Sequence, residues 1–211
     1  MSPHQQLISG LARLNLEVSE GGISRLLAFA ALLGKWNRTY NLTAIREPSK
    51  VISHHLLDSV AVLPHITGNR IADVGTGPGF PGLPIALIRP SVNVALVECN
   101  HKKSAFLRQA VTELQLTNVE VITERVEAWT PETRFDVVIS RAFADLSGFI
   151  ETSGHLCTPE GVLLAMKGLY PDEELAQLPE TVVVKSVEKI DVPGIRATRH
   201  LVILAANRTL A

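Results

Sequence analysis

The reading turns on Ile71-Ala72-Asp73-Val74-Gly75-Thr76-Gly77-Pro78-Gly79-Phe80-Pro81-Gly82-Leu83-Pro84-Ile85-Ala86-Leu87-Ile88. Apolar or small residues lead into glycines at every second position, and an apolar run resumes after them, which predicts strand, tight loop, helix. Gly75, Gly77 and Gly79 permit positive φ and keep Cβ atoms from between the chain and a ligand. Pro84, without an N–H, suits the first turn of the helix. Gly77-x-Gly79-x-x-Gly82 alone is a weak sign, but its strand-before, helix-after setting makes it a ligand loop rather than an ordinary βα turn.

Two acidic residues narrow the ligand. Asp73 lies within the strand, where a carboxylate is costly without a partner, and a cationic ligand group would supply one. Glu98 closes the next apolar run, Val92 to Val97, about twenty residues beyond the glycines, where an acid takes ribose hydroxyls. No Gly-Lys-Ser or Gly-Lys-Thr follows the loop, which argues against a phosphate-cradling loop. A nucleoside joined to an amino acid fits both acids, and S-adenosylmethionine is that ligand.

From Ile71 on, strands are expected at 70–74, 92–98, 118–123, 135–140, 161–166, 181–191 and 199–206, with helices near 83–89, 101–116, 145–157 and 172–178. This alternation predicts an α/β fold with a doubly wound, mostly parallel seven-stranded sheet. Only Val192-Pro193-Gly194 interrupts the last two runs at their junction, so they should form an antiparallel terminal hairpin. Ligands then bind beyond the carboxyl ends of the strands, at Gly75–Phe80, Glu98, Val126 with Glu127, Arg141, and Lys167 with Gly168.

Asp-Val-Gly-Thr-Gly-Pro-Gly-Phe-Pro-Gly-Leu-Pro at 73–84 resembles the first motif of class I, Rossmann-like methyltransferases, in the form carried by the bacterial glucose-inhibited division B family. The resemblance extends to Trp36-Asn37-x-x-x-Asn41-Leu42-Thr43-Ala44-Ile45, His55-Leu56-Leu57-Asp58-Ser59, Lys102-Lys103-x-x-Phe106-Leu107, Arg125-Val126-Glu127, Ser140-Arg141-Ala142-Phe143 and Lys167-Gly168. It covers residues 25 to 168; nothing matches in the first two dozen residues or from 170 to 195. It implies a methyltransferase that modifies nitrogen seven of a guanine in 16S ribosomal RNA, as naked RNA or in a small subunit or assembly intermediate. It also implies cofactor contact by Gly75, Phe80, Val126, Glu127 and Arg141.

At 211 residues, 46% of them hydrophobic, the chain can bury a full core. It divides into an N-terminal helical extension, 1–68, expected to pack on a catalytic domain, 69–211. Helical spacing marks Ile23, Leu26, Leu27, Ala30, Leu33 and Trp36, and again Val51, Leu56, Leu57, Val60 and Leu63, with a loop from Asn37 to Pro48 between them. No apolar run is long enough to span a bilayer and no signal design opens the chain, so a cytoplasmic protein is expected, and a monomer. Cys99 and Cys157 read as reduced structural thiols, and neither follows a proline as in cytosine-C5 methyltransferases. Adjacent His54 and His55 lack metal-ligand spacing and read as structural; no metal is expected.

The formal charge is −1, yet residues 1–70 hold 7 Lys or Arg against 4 Asp or Glu. Lys35, Arg38, Arg46 and Lys50 in that stretch are candidates for the RNA backbone, with Lys102, Lys103, Lys167, Arg196 and Arg199 as further cations. The plainer alternative for the front end is a solvated charged face.

After the fourth strand the chain lacks the Asn or Asp followed by Pro-Pro and an aromatic that methyltransferases of exocyclic amines use. Guanine nitrogen seven has an in-plane lone pair and no proton, so direct in-line transfer needs positioning rather than a base. Arg141, the candidate catalytic residue, could fork onto guanine oxygen six or hold the methionine carboxylate. Its structural alternative is an ion pair with Asp145. A small-molecule methyltransferase, a nicotinamide reductase and a non-catalytic cofactor- or RNA-binding module are the rival classes. The reductase is disfavoured because neither Tyr40 nor Tyr170 begins a Tyr-x-x-x-Lys pair.

Overall fold

The computed structural model describes residues 1–141 and 143–205. Ala142 and position 206 of the last expected strand lie outside the described residues.

Three helical stretches precede the sheet. Helix α1 (Pro3–Arg13) opens with a capping box, the Ser2 hydroxyl accepting from the Gln5 N–H while the Gln5 side chain accepts from the Ser2 N–H. Helix α2 (Glu20–Tyr40) is capped by Ser19 and stops at Asn41, which adopts the left-handed conformation. Helix α3 (Pro48–Val51) runs into a π-helical stretch, Ile52–Leu57, and on into α4 (Asp58–Val60). The wider turn sits where His54 and His55 project, as π-bulges often do at functional sites. Gly10 of α1 lies so close to this stretch that a Cβ there would come within 2.3 Å of a Leu57 methyl.

Strands β1 (Arg70–Val74), β2 (Asn93–Val97), β3 (Val119–Ile122), β4 (Phe135–Ser140), β5 (Cys157–Lys167), β6 (Val184–Ile190) and β7 (Arg199–Ala205) form one sheet in the order β3-β2-β1-β4-β5-β7-β6. The pairs β1–β2, β1–β4, β2–β3 and β4–β5 are parallel, and β7 is antiparallel to both neighbours. The terminal hairpin expected from sequence is present, with its second strand inserted beside β5. Helices α5 (Gly82–Ile88), α6 (His101–Glu113), α7 (Leu146–Ser153) and the short α8 (Asp172–Ala176) connect the strands.

Several boundaries differ from expectation: the helix expected over 145–157 is Leu146–Ser153 followed by a 3-10 turn, Gly154–Leu156, the strand expected over 181–191 is Val184–Ile190, the helix expected over 172–178 ends at Ala176, and two further differences have clear local reasons. The sixth helix stops at Glu113 rather than 116, because Gln115 takes a positive φ of 53° and the Leu116 N–H turns back to the Val111 carbonyl. The fifth strand begins at Cys157 rather than 161. Thr158-Pro159-Glu160-Gly161 reads as a turn, but Gly161 lets the strand pass Asp136, whose carbonyl oxygen would lie 2.7 Å from an added Cβ.

The strand order reverses between β1 and β4, and their carboxyl ends are tied together by the Ser140 hydroxyl donating to the Val74 carbonyl at 2.8 Å. One apolar cluster runs from Leu7 of α1 to Leu201 of β7, joining the N-terminal helices to one face of the sheet. At its centre Phe29 of α2, fully buried, lies 5.3 Å from the Phe80 ring of the glycine loop and 6.3 Å from Phe106 of α6. Phe29→Ala should therefore cost about 3–5 kcal/mol in chemical denaturation. A loss below about 1 kcal/mol would show that α2 contributes little to holding the sheet and its loop.

Candidate active site

The glycine loop leaves β1 with Gly75, Gly77 and Gly79 all at positive φ, 66°, 61° and 100°. The Gly75 and Thr76 N–H groups donate to the Val97 carbonyl, which fastens the loop to the end of β2. The glycines serve different ends. A Cβ on Gly79 would strike Leu83 at 2.4 Å, so that glycine serves close packing on α5, whereas a Cβ on Gly77 would meet nothing within 4 Å. The free space is at Gly77.

Asp73 lies beneath, with no exposed surface. The sequence reading gave it a cationic ligand group as partner; the loop itself takes one oxygen. Oδ2 accepts from the Thr76 hydroxyl at 2.5 Å and the Gly82 N–H at 2.6 Å, while Oδ1 has no hydrogen-bond partner among the described residues. Burial, against those two hydrogen bonds, pushes its pKa up to about 7.

Glu98 follows β2, buried at 6% exposure. Its Oε1 accepts from the Asn100 N–H at 2.8 Å, and Oε2 lies 3.8 Å from Lys103 Nζ. Val126, half-buried, and Glu127, exposed, stand in a 3-10 turn beyond β3. Phe80 is buried, its ring stacked on His55 with centroids 4.4 Å apart and planes at 14°. Phe80 thus offers the free space its backbone, not its ring.

Arg141 emerges just past β4 with its guanidinium 5.2 Å over the opposite partner of that stack, the Phe80 ring. Nη1 donates to the His54 carbonyl at 3.1 Å and to Asp58 Oδ2 at 3.2 Å. The expected alternative partner, Asp145, is engaged elsewhere: it caps α7, accepting from the Gly148 N–H at 2.7 Å. The other oxygen of Asp58 accepts from Arg199 Nε of β7 at 3.1 Å. One carboxylate, 4% exposed, thereby holds two guanidinium groups.

His55 completes the arrangement. Arg141 Nη2 donates to its Nδ1 at 3.4 Å, so that nitrogen presents a lone pair and the proton sits on Nε2, which donates to the Thr43 hydroxyl at 2.9 Å. Burial and then the Arg141 charge push its pKa down to about 3, so the ring is neutral. Thr43 is in turn placed by buried Asn37, whose side chain accepts from the Thr43 N–H at 2.9 Å. Arg141, Arg199, Asp58 and His55 line a hollow of about 350 Å³. The glycine loop does not line it; Arg141 stands between the two regions.

The remaining sequence candidates are more scattered. Lys35, Arg38, Arg46, Lys50 and Lys102 are exposed, with Lys50 paired to Glu47 at 3.1 Å. Lys167 lines the hollow but its ammonium is consumed by Glu174 at 2.7 Å and the carbonyls of Phe143 and Ala144, so it is tied inward rather than presented to RNA. Cys99 is exposed and Cys157 buried, its thiol pushed up to about 12, well out of the range of a nucleophile. Among the described residues no cluster of metal-ligating side chains is found, and no helix is long and apolar enough to cross a membrane. Sequence reasoning gave Asp58 no role and left His55 structural. Both lie in His55-Leu56-Leu57-Asp58-Ser59, but that stretch shows neither that Asp58 meets two arginines nor that His55 is neutral.

The neutral His55 has a consequence for stability. Its folded pKa lies below the unfolded value of 6.5, so its contribution is complete above about pH 6.5 and is lost as pH falls toward 3. Relative to His55→Gln, the unchanged protein should lose about 1.4 kcal/mol per pH unit over that window in denaturation series. Parallel profiles would mean that His55 protonates freely in the folded state.

The family described as rRNA small subunit methyltransferase G, GidB, matches residues 22–202. A Nitrosospira multiformis protein named ribosomal RNA small subunit methyltransferase G is 56% identical over 211 residues, 97% of this chain and 98% of that one. A Laribacter hongkongensis protein of the same name is 52% identical, covering 96% and 98%. Among solved structures, a SAM-dependent methyltransferase from Aquifex aeolicus superposes with a TM-score of 0.59 at 18% identity, over 78% of this chain and 97% of that one. TrmN from Thermus thermophilus gives 0.56 at 17%, over 80% and 52%. The last two agree in fold alone; the family match and the near-full-length identities settle descent, and the chain belongs to the GidB family.

Proposed function

We propose that this protein transfers a methyl group from S-adenosylmethionine to nitrogen seven of a guanine in 16S ribosomal RNA. The observation that supports the choice of nitrogen is that the two side-chain acceptors bonded to Arg141 are already engaged. Asp58 is held by Arg141 and Arg199, and His55 Nδ1 receives Arg141. Neither Asp58 nor His55 is free to take a proton beside Arg141, and although His200 also lines the hollow, its Nδ1 without a partner among the described residues, nitrogen seven needs no base. Guanine presents oxygen six and nitrogen seven as acceptors on one edge. A guanidinium donating to oxygen six fixes that edge and leaves the nitrogen lone pair free for in-line attack.

The cofactor belongs beside the glycine loop. Asp73 Oδ1, buried without a partner, and the clear space at Gly77 fit its amino-acid end. S-adenosylmethionine supplies, when bound, a methyl group on a positively charged sulfur. Asp73, with its pKa raised to about 7, would be drawn to its ionised form beside an ammonium. Glu98 Oε2 takes the ribose hydroxyls, since Oε1 is already committed to Asn100. Gly75, Gly79, the Phe80 backbone, Val126 and Glu127 border the same space, and Arg141 meets the methyl-bearing end from the other side. Lys35, Arg38, Arg46 and Lys50 of the N-terminal extension, 1–68, hold phosphates, joined by Lys102, Lys103 and Arg199 of the catalytic domain, 69–211. The protein works as a monomer in the cytoplasm.

Incubation with methyl-labelled S-adenosylmethionine and naked 16S RNA, an assembly intermediate or the small subunit, followed by mass spectrometry of the RNA, tests the reading. One 7-methylguanine is expected in at least one substrate form, and Arg141→Ala should remove it. Label on an exocyclic amine, or none in any form, would contradict it.

A further inference from the structure

A second concavity, a groove of about 740 Å³, runs between α2 and α3. Leu27, Ala30, Leu33, Val51 and Ile52 give it an aliphatic floor. Its rim carries Lys35, Arg38 and Arg46, all exposed and without an ion-pair partner among the described residues. The acids nearby in sequence are already engaged: Glu47 by Lys50 at 3.1 Å and Glu20 by His4 at 3.1 Å. The buried amide of Asn37 also borders the groove, but its two ends serve Thr43 and Ile45. The floor therefore offers mainly apolar contact. Ile45 lines both this groove and the hollow that holds Arg141, so the two concavities meet at one side chain.

We propose that the groove receives an unstacked base of the RNA strand next to the target guanine, with its phosphates at Lys35, Arg38 and Arg46. This rests on the hollow being the guanine site. A guanine turned into the hollow leaves its stack, and the neighbouring base then presents a bare face. A concavity that shares the Ile45 wall with the hollow, apolar below and cationic at the edge, matches a base face carried on a phosphate backbone. With a floor that is mostly aliphatic, the groove grips whichever base stands at that position.

Gly34 gives a clean test. It lines the groove within α2, and a Cβ there would meet nothing within 4 Å, so a leucine can enter the groove from an unobstructed Cβ. Replacing a helical glycine should leave the melting temperature unchanged or raise it. Gly34→Leu is expected to keep its calorimetric affinity for S-adenosylmethionine and to lose about ten-fold in kcat/KM for RNA, the order of one lost base contact. Arg38→Glu, which reverses the rim charge, should lose at least as much. A photo-crosslinking residue at position 34 should label nucleotides flanking the methylated guanine. If the unchanged protein methylates RNA and Gly34→Leu matches it, or if the crosslink goes only to a ribosomal protein, the groove inference is overturned and the guanine reading stands. If the unchanged protein methylates no RNA, both fall.

Discussion

The Asp58 carboxylate is the point on which the site depends. It comes from the helical stretch before the sheet, yet its two oxygens hold Arg141 from the end of β4 and Arg199 from β7. A buried carboxylate is unfavourable alone, and two positive partners offset that cost while leaving the hollow with a positive excess. Removing Asp58 would leave two guanidinium groups crowded together, and removing either arginine would halve what holds the acid. The arrangement continues through His55 to Thr43 and Asn37, so the direction in which Arg141 points is set by residues of α2, of the loop after it and of the π-helical stretch. The helices ahead of the sheet are thus part of the machinery that aims the strand-end arginine.

That dependence explains which parts of the site were legible in the sequence. The loop after β1 announces itself because positive φ at successive positions demands glycine, and Asp73 stands out as a charge inside an apolar strand. The strands follow from short apolar runs, and Arg141 from lying just past one. Its partner was not legible. Asp145 is the near acid in sequence, but it is used to cap α7, and the true partner lies 83 positions away. Asp73 was half legible: the charge pointed to a ligand, while the hydrogen bonds of one oxygen to Thr76 and Gly82 depend on how the loop closes. His55 shows the same limit, since a neutral ring with its proton on Nε2 follows from burial and the nearness of Arg141. Lys167 read as a free cation and is bound inward, because Glu174 reaches it from α8.

The site's chemistry follows from the same accounting of lone pairs and protons. A base-catalysed transfer would need an acceptor free to take a proton, and the two that touch Arg141, Asp58 and His55, are occupied by guanidinium groups. A proton-free nucleophile asks only to be held in line, and donors suffice for that. The glycine-loop side is built differently, with one oxygen of Asp73 without a partner among the described residues and one of Glu98 facing the distant Lys103 ammonium at 3.8 Å, while their other oxygens fix the loop and the start of α6. In the proposed reading, anionic reception for the cofactor and cationic reception for the RNA meet at the reversal of strand order, where the carboxyl ends of β1 and β4 lie side by side.

The role of Asp58 is most directly tested by the single-turnover rate of methyl transfer in Asp58→Asn, measured with cofactor and RNA both saturating. A neutral amide of the same shape cannot hold both guanidinium groups, and a catalytic group displaced by about an ångström costs about a hundred-fold in rate. A fall of that order in a folded protein that still binds S-adenosylmethionine is the expected result. A rate within a few-fold of the unchanged protein would show that Arg141 is aimed without Asp58.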